Sequence, residues 1–373
     1  CVLHAAHIHE GTIRMEASAS LSRPLALLHA RREVVGGHSV RHIDISGPDA
    51  ATLVEGGCIL NEVGDGRVDL RTVDAILVTG NAAWFPVLFR QLMGTPPNVR
   101  PLVVIRHDEP LPPPRASGLA APRLTWREWA RIIRGDPNAT DCYTNARVLR
   151  RLAKASLPDL LIVSSIGQGE YLAAFGIASQ CVPKGRRDSY GDDLGMERTI
   201  DVLSLGNNDY GRRKRAIESI RRKGIRVATA GDYFDPNCYG DERTLLLNRS
   251  KILVNILRDP GLSMGQSRLT LGMANGTLVV SEPLYRPEPF VAGRHFVSAD
   301  IEDMPAVIGY FLAKDDQRRA IVAEAYRYVR TEMTESAATA RILGLIRERL
   351  AARHASSEPG RSGEPPEGLG RET

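Results

Sequence analysis

The feature that most narrows the fold is a pattern that runs twice along the 373 residues: short apolar runs rich in Val, Ile and Leu alternate with stretches of helical spacing. Near-continuous apolar runs of this length read as strands buried on both faces. The amphipathic stretches between them read as helices covering a parallel sheet. In the first half the pattern predicts strands at 1–6, 39–45, 75–79, 102–106 and 160–164, with helices over 24–35, 84–93, 145–153 and 170–175. In the second half it predicts strands at 201–205, 225–229, 252–256, 277–281 and 295–297, and helices over 212–223, 242–248, 266–275 and 304–313. Two doubly wound, Rossmann-like α/β domains in tandem follow, meeting where Lys, Arg, Asp and Gly cluster without periodicity at 183–198. We divide the chain into 1–185, 186–334, a last helix within 335–355 and a Gly-, Pro- and Glu-rich tail, 356–373, expected to be disordered. Residues 111–141 begin with three prolines and carry Trp126 and Trp129. They read as an insertion, with packing against the first domain preferred to capping a pocket or touching a membrane.

Composition limits the partners. Hydrophobic residues at 43% and charged residues at 25% suit two soluble cores. The net charge of +5 comes from six Lys and 43 Arg spread along the whole chain, so no nucleic-acid surface is predicted. A basic chain does suit an anionic substrate. The five cysteines (Cys1, Cys58, Cys142, Cys181, Cys238) form no Cys-x-x-Cys pair and have no His at metal spacing, which predicts neither disulfides nor a metal site. No apolar run approaches the roughly 18 residues of a membrane span, and the first residues carry His and Glu where a signal peptide is apolar. A cytoplasmic protein is expected, and a homo-oligomer is compatible with this.

The residues that could carry chemistry concentrate after position 198. The strand at 201–205 runs into Gly206, Asn207 and Asn208, then Arg212, Arg213, Lys214 and Arg215 at a helix start. Such a turn offers backbone N–H groups, a helix dipole and cations to a diphosphate. A solvated basic helix face is the competing reading. Ser250-Lys251-Ile252-Leu253-Val254-Asn255 follows, then a Gly-rich loop ending at Gly265, the helix that starts Gln266-Ser267-Arg268, and a strand ending in Ser281-Glu282.

This order of strand, Gly-loop, helix, Gly and strand resembles the nucleotide-sugar half of group 1 glycosyltransferases, above all the branch of spore-maturation-type proteins. In that branch a Ser-Lys-Ile-x-x-Asn strand precedes an Arg-bearing helix. The likeness continues through Phe290-Val291-Ala292-Gly293-Arg294-His295-Phe296-Val297 and a helix with Arg318, Arg319, Ala323 and Tyr326. In the first half, His107-Asp108 after a strand, Ser164-Ser165, Glu170 and Val182-Pro183-Lys184-Gly185 look similar to the family's series. Lys184 stands where Asn is usual.

The resemblance implies a GT-B fold, two Rossmann-like domains facing a cleft, with C-terminal helices that can cross back to the first. It implies a glycosyltransferase that takes a sugar from a UDP- or GDP-sugar co-substrate, without metal or other cofactor and with retention of configuration. The acceptor would be a small molecule, as in natural-product assembly. Donor-binding candidates are Gly206, Asn207, Arg212, Arg213, Lys251, Gly265, Gln266, Ser267, Arg268 and Glu282. Many relatives place a ribose-binding Glu where this chain has Leu271, which cannot accept a hydroxyl hydrogen bond. Glu282 is the nearest substitute. Catalytic candidates are His107, Asp108 and His7, and His9, Glu10 and Gly11 are acceptor-binding candidates, because an imidazole or carboxylate can position or deprotonate an acceptor. Each histidine could equally be an ordinary surface or core residue.

Two other readings compete. A dinucleotide-binding dehydrogenase is disfavoured, since Gly167-Gln168-Gly169 has Leu172 where the third Gly belongs. A GT-B sugar-nucleotide epimerase or a non-catalytic nucleotide-sugar-binding protein would reuse the same donor half.

Overall fold

The computed structural model describes residues 27–35, 38–46, 70, 73–80, 85–112, 126–133, 137–206, 208, 211–231, 239–257 and 266–357. The strand expected at 1–6 and the tail after 357 lie outside them. Two sheets follow one another along the chain. The first contains β1 (Leu27–Val35), β2 (His38–Ser46), β3 (Ala75–Thr79), β4 (Leu102–His107), β5 (Leu160–Val163) and β6 (Gln180–Cys181), in the order β2-β1-β3-β4-β5-β6. The second contains β7 (Ile200–Leu205), β8 (Val227–Ala230), β9 (Ser250–Asn255), β10 (Leu278–Ser281) and β11 (Val297–Ser298), in the order β11-β10-β9-β7-β8. Among the described pairings only β1 with β2 is antiparallel.

That pair corrects the sequence reading. The helix expected over 24–35 is strand β1, paired with β2 from Leu27↔Ser46 to Val35↔His38. Only Gly36 and Gly37 lie between the last paired residues, and a Gly-Gly connector is a tight-hairpin signal. Nine cross-strand partners outweigh a spacing that also fits a helix.

Helices α1 (Pro86–Met93), α2 (Trp126–Ile133), α3 (Pro137–Lys154) and α4 (Ile166–Ala173) belong to the first sheet. Its parallel strands advance in one direction only, and right-handed crossovers then put their helices on one face. Leu88, Leu92, Leu149 and Leu172 accordingly pack with Ile76, Val78, Val103 and Ile105. The opposite face, with Ala75, Leu77, Leu102, Val104 and Ile162, is covered by Ile342, Leu343, Leu345, Ile346 and Leu350 of the last helix, α10 (Glu335–Ser357). The expected return of a C-terminal helix is thus the second layer of the first sheet.

The insertion is shorter than expected, because α3 already starts at Pro137. Helix α2 lies against α3. Its tryptophans are nevertheless largely exposed, Trp126 by 74% and Trp129 by 53%.

The second sheet is doubly wound. Helices α5 (Gly211–Arg222) and α8 (Met304–Ala313) cover one face, with Ile217, Ile220, Met304 and Ile308. Helices α6 (Gly240–Asn248), α7 (Gln266–Ala274) and α9 (Asp315–Thr331) cover the other, with Leu247, Leu269, Met273, Ala325 and Val329. The chain passes between the lobes twice, and the two passages touch. Arg186 N donates to Met333 O at 2.6 Å and Glu335 N to Arg186 O at 3.1 Å.

Candidate functional site

In an open α/β sheet a ligand lies beyond the carboxyl ends of the strands that flank a reversal of strand order. In the second sheet that place is between β7 and β9, since β8 lies on one side of β7 and β9 on the other. Gly206 follows the last residue of β7 with φ of +94°, in the left-handed region that glycine enters at no steric cost. A Cβ on it would stand 3.4 Å from Arg268 Nη2 and 3.8 Å from Arg213 Nη1, so two guanidiniums close on this turn.

Both are aimed by neighbours at the end of β9. Arg213, in the first turn of α5, donates Nε to Ile256 O at 2.9 Å. Arg268, in the first turn of α7, donates Nη1 to Asn255 Oδ1 at 3.0 Å and to Ile256 O at 3.4 Å. Asn255 is buried and donates Nδ2 to Ser281 Oγ at 2.9 Å, which fixes the oxygen that Arg268 uses. Two helix N-termini and two guanidiniums at one strand reversal form a concentrated positive site suited to a diphosphate. Asn255 was not among the expected site residues. A polar residue closing an otherwise apolar run, Ile252-Leu253-Val254-Asn255, was the available signal.

Three expected donor residues are placed otherwise. Arg212 and Glu282 hold each other: Arg212 Nη1 donates to Glu282 Oε1 at 2.7 Å, Arg212 Nη2 to Oε2, and the Leu257 amide also donates to Oε1. Glu282 is 4% exposed. Its carboxylate neutralises Arg212 and is not presented to a ribose. Lys251 sits at the opposite end of the sheet, at the start of β9, where Nζ donates to Asp201 Oδ1 at 2.8 Å. Leu271 packs at the edge of the apolar cluster under α7. Ser267 is exposed in the first turn of α7, and Gln266 opens that helix. Asn207 and Gly265 lie outside the described residues.

In the first lobe, His107 ends β4 at 1% exposure, with the backbone of Gly80 and Glu109 beside its ring. Burial lowers its pKa from 6.5 to about 4, partly opposed by the Asp108 charge, so the imidazole is neutral near pH 7. Asp108 is 7% exposed and faces Arg106 Nε at 3.6 Å and Lys184 Nζ at 3.7 Å. Lys184, the position that departs from the family pattern, therefore ties the linker to the end of β4. His7, His9, Glu10 and Gly11 lie outside the described residues. The Gly167-Gln168-Gly169 run lies in the first turn of α4, where Gln168 forms a capping box with Ser165 and donates Nε2 to Glu109 O at 2.9 Å. Glu170, on α4, accepts from Tyr285 Oη at 2.6 Å and Arg286 Nε at 3.0 Å, a contact that joins the first lobe to the loop after β10.

Residues 212–344 match a family model described as glycosyl transferase-like. A comparison with curated proteins gave no match. Among solved structures, the chain is similar to HepE of Anabaena, solved with UDP and glucose, at a TM-score of 0.53 and 12% identity over 74% of this chain and 79% of that one. It is also similar to the sucrose-phosphate synthase of Thermosynechococcus elongatus, at 0.51 and 13% over 75% and 74%. A third similar structure is TarM of S. aureus, at 0.50 and 11% over 73% of this chain. The chain spans 54% of TarM. These neighbours are GT-B glycosyltransferases, and at such identities they bear on the fold alone. The chain has the GT-B fold, and its glycosyl transferase-like match runs from the start of α5 into α10.

Proposed function

We propose that the protein is a glycosyltransferase of the spore-maturation-type branch that moves a sugar from a UDP- or GDP-sugar to a small-molecule acceptor, with retention at the anomeric carbon. The observation that carries this reading is the approach of Arg213 and Arg268 to the Gly206 turn at the strand reversal of the second sheet. In the reaction, the bond from the anomeric carbon to the β-phosphate oxygen breaks and the diphosphate leaves with the electron pair. The acceptor's nucleophilic atom bonds to that carbon and gives up its proton. Negative charge grows on the diphosphate as the bond breaks, so cations and amides already fixed around it lower the barrier. Arg213, Arg268, the Gly206 backbone and the α7 N-terminus supply them. His107, neutral near pH 7, is the candidate proton acceptor in the first lobe, with Asp108 beside it. Cytoplasmic natural-product assembly is the setting we assign.

The test is thermal stabilisation by UDP-, GDP- and dTDP-sugars and by NAD. A sugar nucleotide at a hundred times its Kd adds about 2.7 kcal/mol to stability. We expect one nucleotide class to raise Tm, and Arg268→Ala to abolish that rise, measured against the variant's own ligand-free Tm, which the loss of its bonds to Asn255 and Ile256 lowers modestly. Stabilisation by NAD alone, or a full rise in the Arg268→Ala protein, overturns the assignment. Donor turned over to its epimer, with no transfer to any acceptor, would convert the reading to an epimerase.

A further inference from the structure

Helix α2 has the sequence Trp-Arg-Glu-Trp-Ala-Arg-Ile-Ile. Trp126, Trp129 and Ile133 are exposed by 74%, 53% and 79%. The spacing i, i+3, i+7 puts all three on one stripe of an α-helix. Single exposed apolar residues are ordinary on any protein, but three large ones in one stripe, including two of the chain's three tryptophans, are not. The helix lies against α3 and still presents this stripe to solvent.

The charge around the stripe selects its occupant. Arg127 and Arg131 fall one turn apart in the same helix, and Arg134 follows it. Within the helix two arginines stand against the single carboxylate of Glu128. Indole rings carry an apolar body and one N–H donor and collect at the boundary between headgroups and acyl chains, while guanidiniums form paired hydrogen bonds with phosphate. A second copy of this chain would set the helix's net positive charge against an equal positive charge, which disfavours self-association.

We propose that α2 docks the protein on an anionic membrane surface, seating Trp126, Trp129 and Ile133 at the acyl boundary with Arg127 and Arg131 of the same helix serving lipid phosphates. At eight residues, or about 12 Å, the helix lies in the surface and does not cross it. This inference is independent of the donor assignment, whose residues stand on the second sheet.

The test uses the full chain in flotation with vesicles of phosphatidylcholine alone and of phosphatidylcholine with phosphatidylglycerol. We expect binding to the anionic vesicles that weakens as salt rises, with a blue shift in tryptophan emission. Replacing Trp126, Trp129 and Ile133 together with Ser is expected to reduce binding roughly tenfold or more. That protein should keep its response to sugar nucleotides, since the residues of the donor site stand on the second sheet. Arg127→Gln with Arg131→Gln is expected to weaken binding and flatten its salt dependence. Absence of wild-type binding to the anionic vesicles, or equal flotation of the Ser variant, overturns the proposal. So does a wild-type dimer that the Ser variant dissolves and vesicles do not bind, since the stripe would then be a contact between copies.

Discussion

Arg212 and Arg213 are neighbours in sequence and take different roles, because successive residues of a helix point about 100° apart. Arg212 closes a bidentate pair on a carboxylate that is 4% exposed, whereas Arg213 reaches the turn at Gly206. Removing Arg212 leaves the Glu282 charge buried with one backbone donor, so Arg212→Ala is expected to cost about 3 kcal/mol of stability. Arg268→Ala leaves Asn255 Oδ1 and the Ile256 carbonyl short of a donor and is expected to cost about 1–2 kcal/mol, less than Arg212→Ala because no buried charge is stranded. Urea titration of both variants without ligand checks this, and equal losses would erase the distinction. His107 supplies a second prediction at this scale. Its folded pKa of about 4 lies below the ordinary 6.5, so between those values the unfolded chain binds the proton and the folded one does not. Stability is therefore intact above pH 6.5 and declines as pH falls toward 4, by up to about 3 kcal/mol from this group. His107→Gln removes that slope, and superimposable stability profiles of the two proteins between pH 7 and 4 would refute the burial argument. The sequence named Gly206, Arg213 and Arg268 because a Gly turn and basic helix starts are local signals. It could not separate Arg212, Glu282 and Lys251 from them. Glu282 is 70 residues from its partner, and which end of a strand faces the crevice emerges only when the strands are aligned side by side.

Elements legible in the sequence were those whose period matches their burial. Strands β3, β4 and β9 and helix α8 repeat apolar residues as a two-faced sheet and its cover require. The spacing of strand β1 also fits a helix, and its partner, not its spacing, decides its conformation. Contacts between the two linkers were also invisible. At the crossing, a Cβ on Gly185 would lie 2.3 Å from Thr334 O and 2.4 Å from both Cα and N of Glu335. These are backbone atoms, held by the hydrogen bonds of Arg186 to Met333 and Glu335, so they cannot rotate aside. Gly185→Ala must separate the linkers and is expected to cost roughly 2–3 kcal/mol, as overpacking does in closed interiors. Chemical denaturation measures it. A loss below about 0.5 kcal/mol, the level of an ordinary surface change, would mean the passages are not clamped.

At the scale of the molecule, the two lobes obtain their cover in different ways. The second sheet reverses its strand order and so receives helices on both faces from its own crossovers. The first sheet does not reverse, and among the described residues its second face depends on α10, which the chain makes only after the second lobe is complete. The stability of the first lobe should therefore be controlled from the far end of the sequence. Ile346 is fully buried in that contact, and placing a carboxylate there with no partner is expected to cost 4 kcal/mol or more, in the range of about 4–5 kcal/mol that marks a severe core lesion. The informative measurement on Ile346→Asp is amide hydrogen exchange resolved by strand. Protection should fall in β3, β4 and β5, which pack under α10, and persist in β9 and β10, whose helices are all local. Equal loss in both sheets would mean that the clamp at Gly185 makes the lobes unfold as one body. Unchanged protection in β3 and β4 would mean that α10 is dispensable to the sheet it covers.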